Sequence, residues 1–169
     1  MTQLDRIVYI VRYESCIIKT YTAHTLRERH EVIDVEGMTH PTDIVACDGQ
    51  LYVADEDYCI WRVSTKDKSH VKWLTTGSAT EKFPVSKLSL TPQRLLVTSD
   101  KPRCLREYST MNGELMRHVT LPQYVRRLYH AVETTHNSFV ISHRGTLERH
   151  GQDAVSELLR FCHTIKCCV

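Results

Sequence analysis

The chain has 169 residues, which is enough for one domain with a sizeable core. Its 22 lysines and arginines nearly balance its 20 aspartates and glutamates, so its net charge provides no strong field to attract nucleic acid. Seven cysteines, an odd number without the dense spacing of a small secreted scaffold, favour reduced thiols and a cytoplasmic location.

The first apolar run, residues 7–11, is short and has charged residues on both sides, so it predicts neither a signal peptide nor a membrane span. It opens a repeat in which a strand precedes a cysteine: Cys16 and Cys59 lie 43 residues apart, and Cys59 and Cys104 lie 45 apart. A fourth strand start, residues 139–142, follows the third at a similar interval. Repeats of this length are typical of propeller blades.

The repeat predicts an all-β, propeller-like fold in a single domain, with about four blades at residues 4–38, 40–77, 83–122 and 124–169. The first blade has no recognisable inner strand, and the last loses the pattern after residue 143. Both are therefore predicted to be incomplete. Such a chain is either a small propeller closed by its own termini or a partial one.

The second copy has the clearest strand boundaries. Its inner strand is predicted at residues 41–46, and Asp48-Gly49 is a strong hairpin signal because both positions tolerate positive φ. Its other strands are predicted at residues 50–54, 59–64 and 70–74. The third copy repeats the plan, with strands predicted at residues 84–90, 94–99, 104–109 and 115–121.

The C-terminal residues fit two structures. Residues 154–158 can be aligned with residues 104–108 as a third strand. Alternatively, a short helix capped by Asp153 would place several apolar side chains on one face, namely Val155, Leu158, Leu159, Cys162 and Ile165. Composition favours the helix, which would cover an open edge of the sheet.

Residues 40–55, His-Pro-Thr-Asp-Ile-Val-Ala-Cys-Asp-Gly-Gln-Leu-Tyr-Val-Ala-Asp, resemble an NHL-type propeller repeat. That family usually has Pro-x-Gly-Ile-Ala-Val-Asp, a glycine turn and Tyr-Val-Ala-Asp. Asp43 stands where the family commonly has glycine, and the usual Asn-x-Arg after Tyr-Val-Ala-Asp is absent. The resemblance implies a propeller of the six-bladed type. Similar propellers include ligand-binding modules of ubiquitin-ligase proteins and calcium-dependent lactonases.

Three inner-strand starts, Asp43, Ser86 and Arg126, are predicted to surround the axial channel. Mixed charges and a hydroxyl at one rim could bind a small polar ligand or a peptide terminus. The alternative is that these side chains satisfy one another across the channel, because buried charges are normally paired.

Two indoles in the second blade, Trp61 and Trp73, are candidate anchors for a partner, since exposed tryptophans often dominate binding energy. Packing in the core is the commoner fate of such side chains. The repeat cysteines Cys16, Cys59 and Cys104 are expected to be small core residues.

The sequence predicts no catalytic residues, metal site or cofactor. Asp55, Glu56 and Asp57 fall short of the six to eight oxygens that calcium requires and are expected in a solvated turn. No cysteine and histidine spacing matches a zinc site. Arg126 and Arg127 are too few basic residues to indicate an RNA surface.

These observations favour a non-enzymatic interaction module that presents a rigid surface to a protein or peptide. Self-association could complete the propeller. Two alternatives remain open: a metal-dependent, lactonase-like hydrolase of small molecules, and an RNA-binding propeller of the ubiquitin-ligase type.

Overall fold

Antiparallel strands make up the regular structure in our computed structural model, which describes residues 1–77, 83–91, 93–123, 125–135, 138–144 and 160–166. No helix occurs within these ranges, and hence none that is long and apolar enough to cross a membrane. The strands form four separate sheets, each corresponding to one predicted blade. The prediction of an all-β, propeller-like fold is thus confirmed.

The first two blades have four strands each. The first blade contains β1 (Thr2–Leu4), β2 (Ile7–Ile10), β3 (Ile17–Thr22) and β4 (Glu28–Asp34). The second contains β5 (Pro41–Cys47), β6 (Gln50–Asp55), β7 (Cys59–Ser64) and β8 (His70–Thr75). Asp48 and Gly49 link β5 to β6 with φ values of 49° and 73°, which confirms the predicted hairpin.

The third blade is again four-stranded, whereas the described part of the fourth has three strands. The third contains β9 (Lys87–Thr91), β10 (Arg94–Asp100), β11 (Arg103–Ser109) and β12 (Leu115–Thr120). The fourth contains β13 (Arg126–Thr135), β14 (Ser138–Arg144) and β15 (Arg160–Lys166). Every strand pairs antiparallel with its neighbour in sequence, so each blade is a simple meander.

Two expectations need correction. The first blade does have an inner strand, β1, which pairs with β2 and lies against β5; its three residues are too few to show a hydrophobic period. Residues 160–166 form strand β15 rather than the C-terminal part of a helix, because their backbone pairs with β14. The rest of the proposed helix or strand, residues 154–159, lies outside the described residues.

The core consists of three apolar clusters, one between each pair of successive blades, which we call the first, second and third seams. Tyr9 and Ile18 of the first blade meet Leu51 and Trp61 of the second in the first seam. The second seam joins the second and third blades, and the third seam joins the third and fourth. Side chains alternate across each strand, so a blade between two others buries both of its faces.

Inner strands β1, β5, β9 and β13 lie side by side in that order. Among the described residues, no comparable packing brings β13 back to β1. The four blades therefore form a row in which the first and the last each have a single neighbour.

Candidate functional site: the uncovered face of the first blade

The first and second blades share one register, which allows their faces to be compared position by position. Ile10 pairs with Lys19 on β3 just as Val53 pairs with Trp61 on β7. In the second blade, the face in question packs against the first blade in the first seam and is almost completely buried. Its residues, each between 0% and 6% exposed, are Leu51, Val53, Cys59, Trp61 and Val63.

The equivalent face of the first blade has no blade packed against it among the described residues. We call it the uncovered face; it comprises Val8, Ile10, Ile17, Lys19, Tyr21 and Val32. Ile17 is 37% exposed and Val32 is 39% exposed. The side chains that alternate with them, Ile18 and Ile33, are 0% and 2% exposed in the first seam. The same strands are thus apolar on both faces, and one of those faces meets solvent.

One ion pair crosses the uncovered face. Lys19 lies between Ile10 and Val32 in the cross-strand register, and its ammonium donates to a Glu28 carboxylate oxygen at 2.6 Å. This hydrogen bond raises the pKa of Lys19. The lysine is thus neutralised within its own sheet, while the exposed carboxylate of Asp34 lies opposite Ile17 on the same face.

The far end of the row repeats this arrangement on a smaller scale. Val132 on β13 pairs with Val140 on β14, and this pair alternates with Ala131 and Ile141, which are buried in the third seam. Val132 is 46% exposed. We call the surface around Val132 and Val140 the distal face.

Of the three predicted rim residues, Asp43 makes contacts between blades, whereas the backbones of Ser86 and Arg126 bond within their own blades. Asp43 accepts a hydrogen bond from the backbone N–H of Leu88 at 2.9 Å and lies 3.5 Å from the ammonium of Lys87. Ser86 donates its backbone N–H to the Thr98 carbonyl at 2.9 Å. The backbone of Arg126 pairs with β14, and its side chain lies outside the described structure. The contacts of Asp43 join inner strands β5 and β9 instead of converging with Ser86 on a ligand.

The structure places Trp61 inside the first seam. The indole is 6% exposed, donates its N–H to Asp55 at 3.3 Å and has the ammonium of Lys72 5.5 Å from its ring centre. Gly37, in the loop between the blades, has φ +86°, and a Cβ there would lie 3.3 Å from the indole. Because the loop closes directly over the ring, little of the indole surface is left for a partner.

Trp73 on β8 also packs inward. It meets the Tyr52 ring edge-on at a centroid distance of 5.1 Å and belongs to the second seam. Its indole lies against the turn at Gly113 of the third blade, where an added Cβ would be 3.5 Å from the ring. Both indoles therefore serve as packing elements between blades.

Asp55, predicted to lie in a solvated turn, is instead 0% exposed. Its carboxylate accepts hydrogen bonds from the backbone N–H groups of Thr39, His40 and Asp57 as well as from the Trp61 indole. Burial by itself raises the pKa of Asp55, but these donors outweigh burial and leave the pKa below its ordinary value. The carboxylate thus fixes the end of β6 and the loop that enters β5.

His40, Asp55 and Asp57 are near enough for one atom of each to contact a single ion. However, both oxygens of Asp55 already accept hydrogen bonds, and an oxygen of Asp57 accepts one from the Thr39 hydroxyl at 2.6 Å. A cation would have to displace these donors. The geometry is that of a structural carboxylate.

Two of the three repeat cysteines, Cys59 and Cys104, are core residues as predicted. Cys59 and Cys104 are each 1% exposed, and Cys16 is half-buried just before β3. Burial raises the pKa of Cys59 to about 11, which keeps the thiol protonated at neutral pH. A protonated, enclosed thiol is a poor nucleophile.

A groove of about 650 Å³ lies between the second and third blades, at the end that carries the β5–β6, β7–β8 and β11–β12 turns. Its lining mixes Tyr52, Arg62, His70 and Val71 of the second blade with Met111 of the third. This surface lacks the alternating apolar pattern of the uncovered face.

Sequence reasoning missed both the uncovered face and the structural role of Asp55. A comparison of the first and second copies could have found the face, because apolar side chains recur at Val8, Ile10 and Ile17, although the described residues place no blade against them. No local pattern distinguishes the buried Asp55 from the exposed acidic residues that follow it.

No family model matches the chain, and no curated protein matches it. Several solved structures match the chain in fold. A chain of Kuenenia stuttgartiensis hydrazine synthase is 14% identical, with a TM-score of 0.67, and the match covers 95% of this chain and 43% of that one. The N-terminal domain of Nup159 is 13% identical, with a TM-score of 0.61 and coverage of 97% and 43%.

The computationally designed Ika4 protein is also similar, at 13% identity and a TM-score of 0.63, with 86% of this chain and 84% of the other covered. The chain therefore spans most of Ika4 but only about two fifths of the two natural proteins. These likenesses support the propeller-like fold alone.

Proposed function

We propose that the chain is a non-enzymatic protein-interaction module whose uncovered face docks a β-sheet of a protein partner. The supporting observation is the contrast between equivalent faces: the positions that are 0–6% exposed in the second blade recur in the first blade, where the described part of the chain packs no blade on them. Contiguous exposed apolar surface on a folded protein usually marks an interaction site.

The second blade illustrates how such docking would work. Its own face packs against the first blade through side chains that interdigitate between two sheets, a geometry that holds sheets about 10 Å apart. A partner sheet seated on the uncovered face would cover Ile17 in the same way as the first blade covers Cys59, which occupies the equivalent position. The strands of the first blade are already ordered by the first seam, so binding would cost little backbone entropy.

The charged margin of the first blade suits a protein partner. Lys19 and Glu28 form an exposed ion pair at 2.6 Å, and the exposed Asp34 pairs with Ile17 on the same face. Protein interfaces commonly surround an apolar centre with polar residues of this kind. The groups with the clearest chemistry in the described structure, Asp55 and Cys59, are engaged in structural contacts, so we assign no catalytic role.

The proposal can be tested by placing the photo-crosslinking amino acid benzoylphenylalanine at position 32 in the chain expressed in cells. Discrete adducts are expected from position 32, because Val32 is exposed on the uncovered face beside Lys19. The same probe at position 71 is a matched control, since Val71 is 46% exposed but lies in the groove outside that face.

A second substitution, Ile17→Glu, should abolish the adducts from position 32 by placing a charge beside the probe. Equal adducts from positions 32 and 71, or adducts that survive Ile17→Glu, would count against the proposed docking role.

A further inference from the structure

Among the described residues, the row of blades ends in two sheets that each have a blade on one side alone. The uncovered face lies at one end and the distal face at the other, and both present valines that are about two fifths exposed or more, Val32 at 39% and Val132 at 46%. An arc with two unsatisfied ends is the expected result when a closed ring of stacked sheets is divided.

We infer that the partner is a second copy of this chain, arranged so that the uncovered face of each copy packs on the distal face of the other. This inference rests on the proposed function, because it names the occupant of the same surface. The two copies would be related by a two-fold axis along the channel.

The number of blades supports this occupant. Four sheets per chain give eight in a pair, and closed propellers contain up to eight blades. The chain also overlays only 43% of the Nup159 domain, itself a propeller, so a ring of natural size has room for a second arc of the same length.

Head-to-tail pairing is favoured over the other ways to join two copies. Two first blades packed face to face would leave both distal faces uncovered, and two fourth blades would leave both uncovered faces exposed. Only the reciprocal arrangement covers all four terminal faces and leaves no further surface of this kind for growth.

The ion pair between Lys19 and Glu28 does not oppose such a seam. The third seam already buries charges within a neutral group of two arginines and two glutamates. Arg117 binds Glu107 at 2.8 Å and Glu133 at 3.0 Å, and Arg94 lies 3.4 Å from Glu133. Glu107 is 3% exposed in its side chain, so a seam of this protein accommodates a compensated charge.

The closing experiment is the solution mass of the full chain by light scattering over a wide range of concentration. We expect twice the 19.6 kDa of one chain. Val32→Glu and Val132→Glu should each give the single-chain mass, since a charge on either face damages both seams of the ring. Val71→Glu, a substitution at a valine of matched exposure in the groove, should leave the mass doubled.

Mixing the two disruptive variants gives a sharper test of head-to-tail order. In a mixed ring, one seam carries both glutamates and the other joins two unsubstituted faces, so the mixture should contain more dimer than either variant alone. Circular dichroism and melting temperature should show that every variant remains folded.

A doubled mass that resists Val132→Glu would overturn the inference in favour of first blades packed on one another. A wild-type chain of single mass would also overturn it. If position 32 then still yields crosslinked adducts that position 71 does not, the docking role stands with a different partner. If it yields none, the docking role falls as well.

Discussion

The first and second blades have the same strand order and register, but the face that is buried in the second blade is exposed in the first. One cross-strand pair shows how the two sequences differ on this face. In the second blade, Trp61 on β7 pairs with Lys72 on β8; in the first, Lys19 on β3 pairs with Val32 on β4. The apolar and the basic side chain have exchanged strands. Trp61 fills the first seam, while Lys19 remains in solvent beside Glu28.

This exchange shows that burial in a repeat protein is decided by the neighbouring repeat as much as by the residue's own strand. Val53 and Ile10 occupy equivalent positions, yet Val53 is fully buried and Ile10 is half-buried. Substitutions at paired positions should therefore have unequal effects, and they offer a way to measure what a covering blade contributes.

The largest contrast is expected at the exchanged pair. Trp61→Ala should lower the free energy of unfolding by about 4 kcal/mol, because it opens a cavity in the first seam and removes a donor from Asp55. Lys19→Ala should leave the melting temperature unchanged in the monomer. Chemical denaturation of both variants checks this, and a similar loss at both positions would contradict the assignment of Lys19 to an uncovered face.

A second effect on stability is expected at Asp55, a buried carboxylate for which the uncovered face has no equivalent. Asp55→Asn should destabilise the fold by about 2–3 kcal/mol, since an amide cannot accept all the hydrogen bonds that a carboxylate accepts. Denaturation at neutral pH measures this loss. Asp57→Asn, an exposed substitution in the same turn, is the control.

The pH dependence of Asp55 has a definite sign. Its pKa is lower in the folded chain than its ordinary value of 3.8, so its contribution is complete above that pH and is lost as the pH falls through the folded value. Wild type should therefore lose stability below about pH 4 more steeply than Asp55→Asn. Parallel acid denaturation curves for the two chains would exclude this role for Asp55.

Buried and exposed ion pairs provide a third comparison. Glu107→Gln should cost about 2 kcal/mol, which is less than the usual cost of breaking a buried pair because Arg117 keeps Glu133. In the single-chain variant Val132→Glu, Glu28→Gln should leave the melting temperature unchanged, because the Lys19–Glu28 pair is about half exposed on both sides there. Melting curves at low and high salt distinguish the two, since salt screens the exposed pair more strongly.

The smallest effect is expected from calcium. Millimolar calcium should leave the melting temperature unchanged, because the oxygens of Asp55 and one oxygen of Asp57 already accept hydrogen bonds. A clear rise in melting temperature that is lost in Asp57→Asn would instead support a metal site at His40.

Much of the fold follows from the sequence because strand spacing and turn chemistry are local properties. The second blade shows this: residues 59–64 were predicted as a strand and form β7, and Asp48-Gly49 makes the predicted turn. Strand β1 escaped prediction because three residues cannot display a period. Residues 160–166 were ambiguous because a strand and a helix can present the same apolar residues, and pairing with β14 decided between them.

The candidate site was less predictable because the exposure of its residues depends on which blades pack against each other. Trp61 and Trp73 look alike in sequence, as apolar residues that could face either way, and both are held inside seams by contacts from distant turns at Gly37 and Gly113. The exposure of Ile17 likewise reflects the lack of a neighbouring blade among the described residues, because Cys59, at the equivalent position of the second blade, is 1% exposed.

The hydrogen bonds between inner strands have a consequence for how the chain folds during synthesis. The Asp43 to Leu88 bond spans 45 residues, the Thr42 to Val85 bond 43, and the Ser89 to Ala131 bond 42. Each link thus closes as soon as one further blade has left the ribosome, and none waits for the far end of the chain. Folding can proceed from the N-terminus in steps of one blade, with the fourth blade docking last on a template already built.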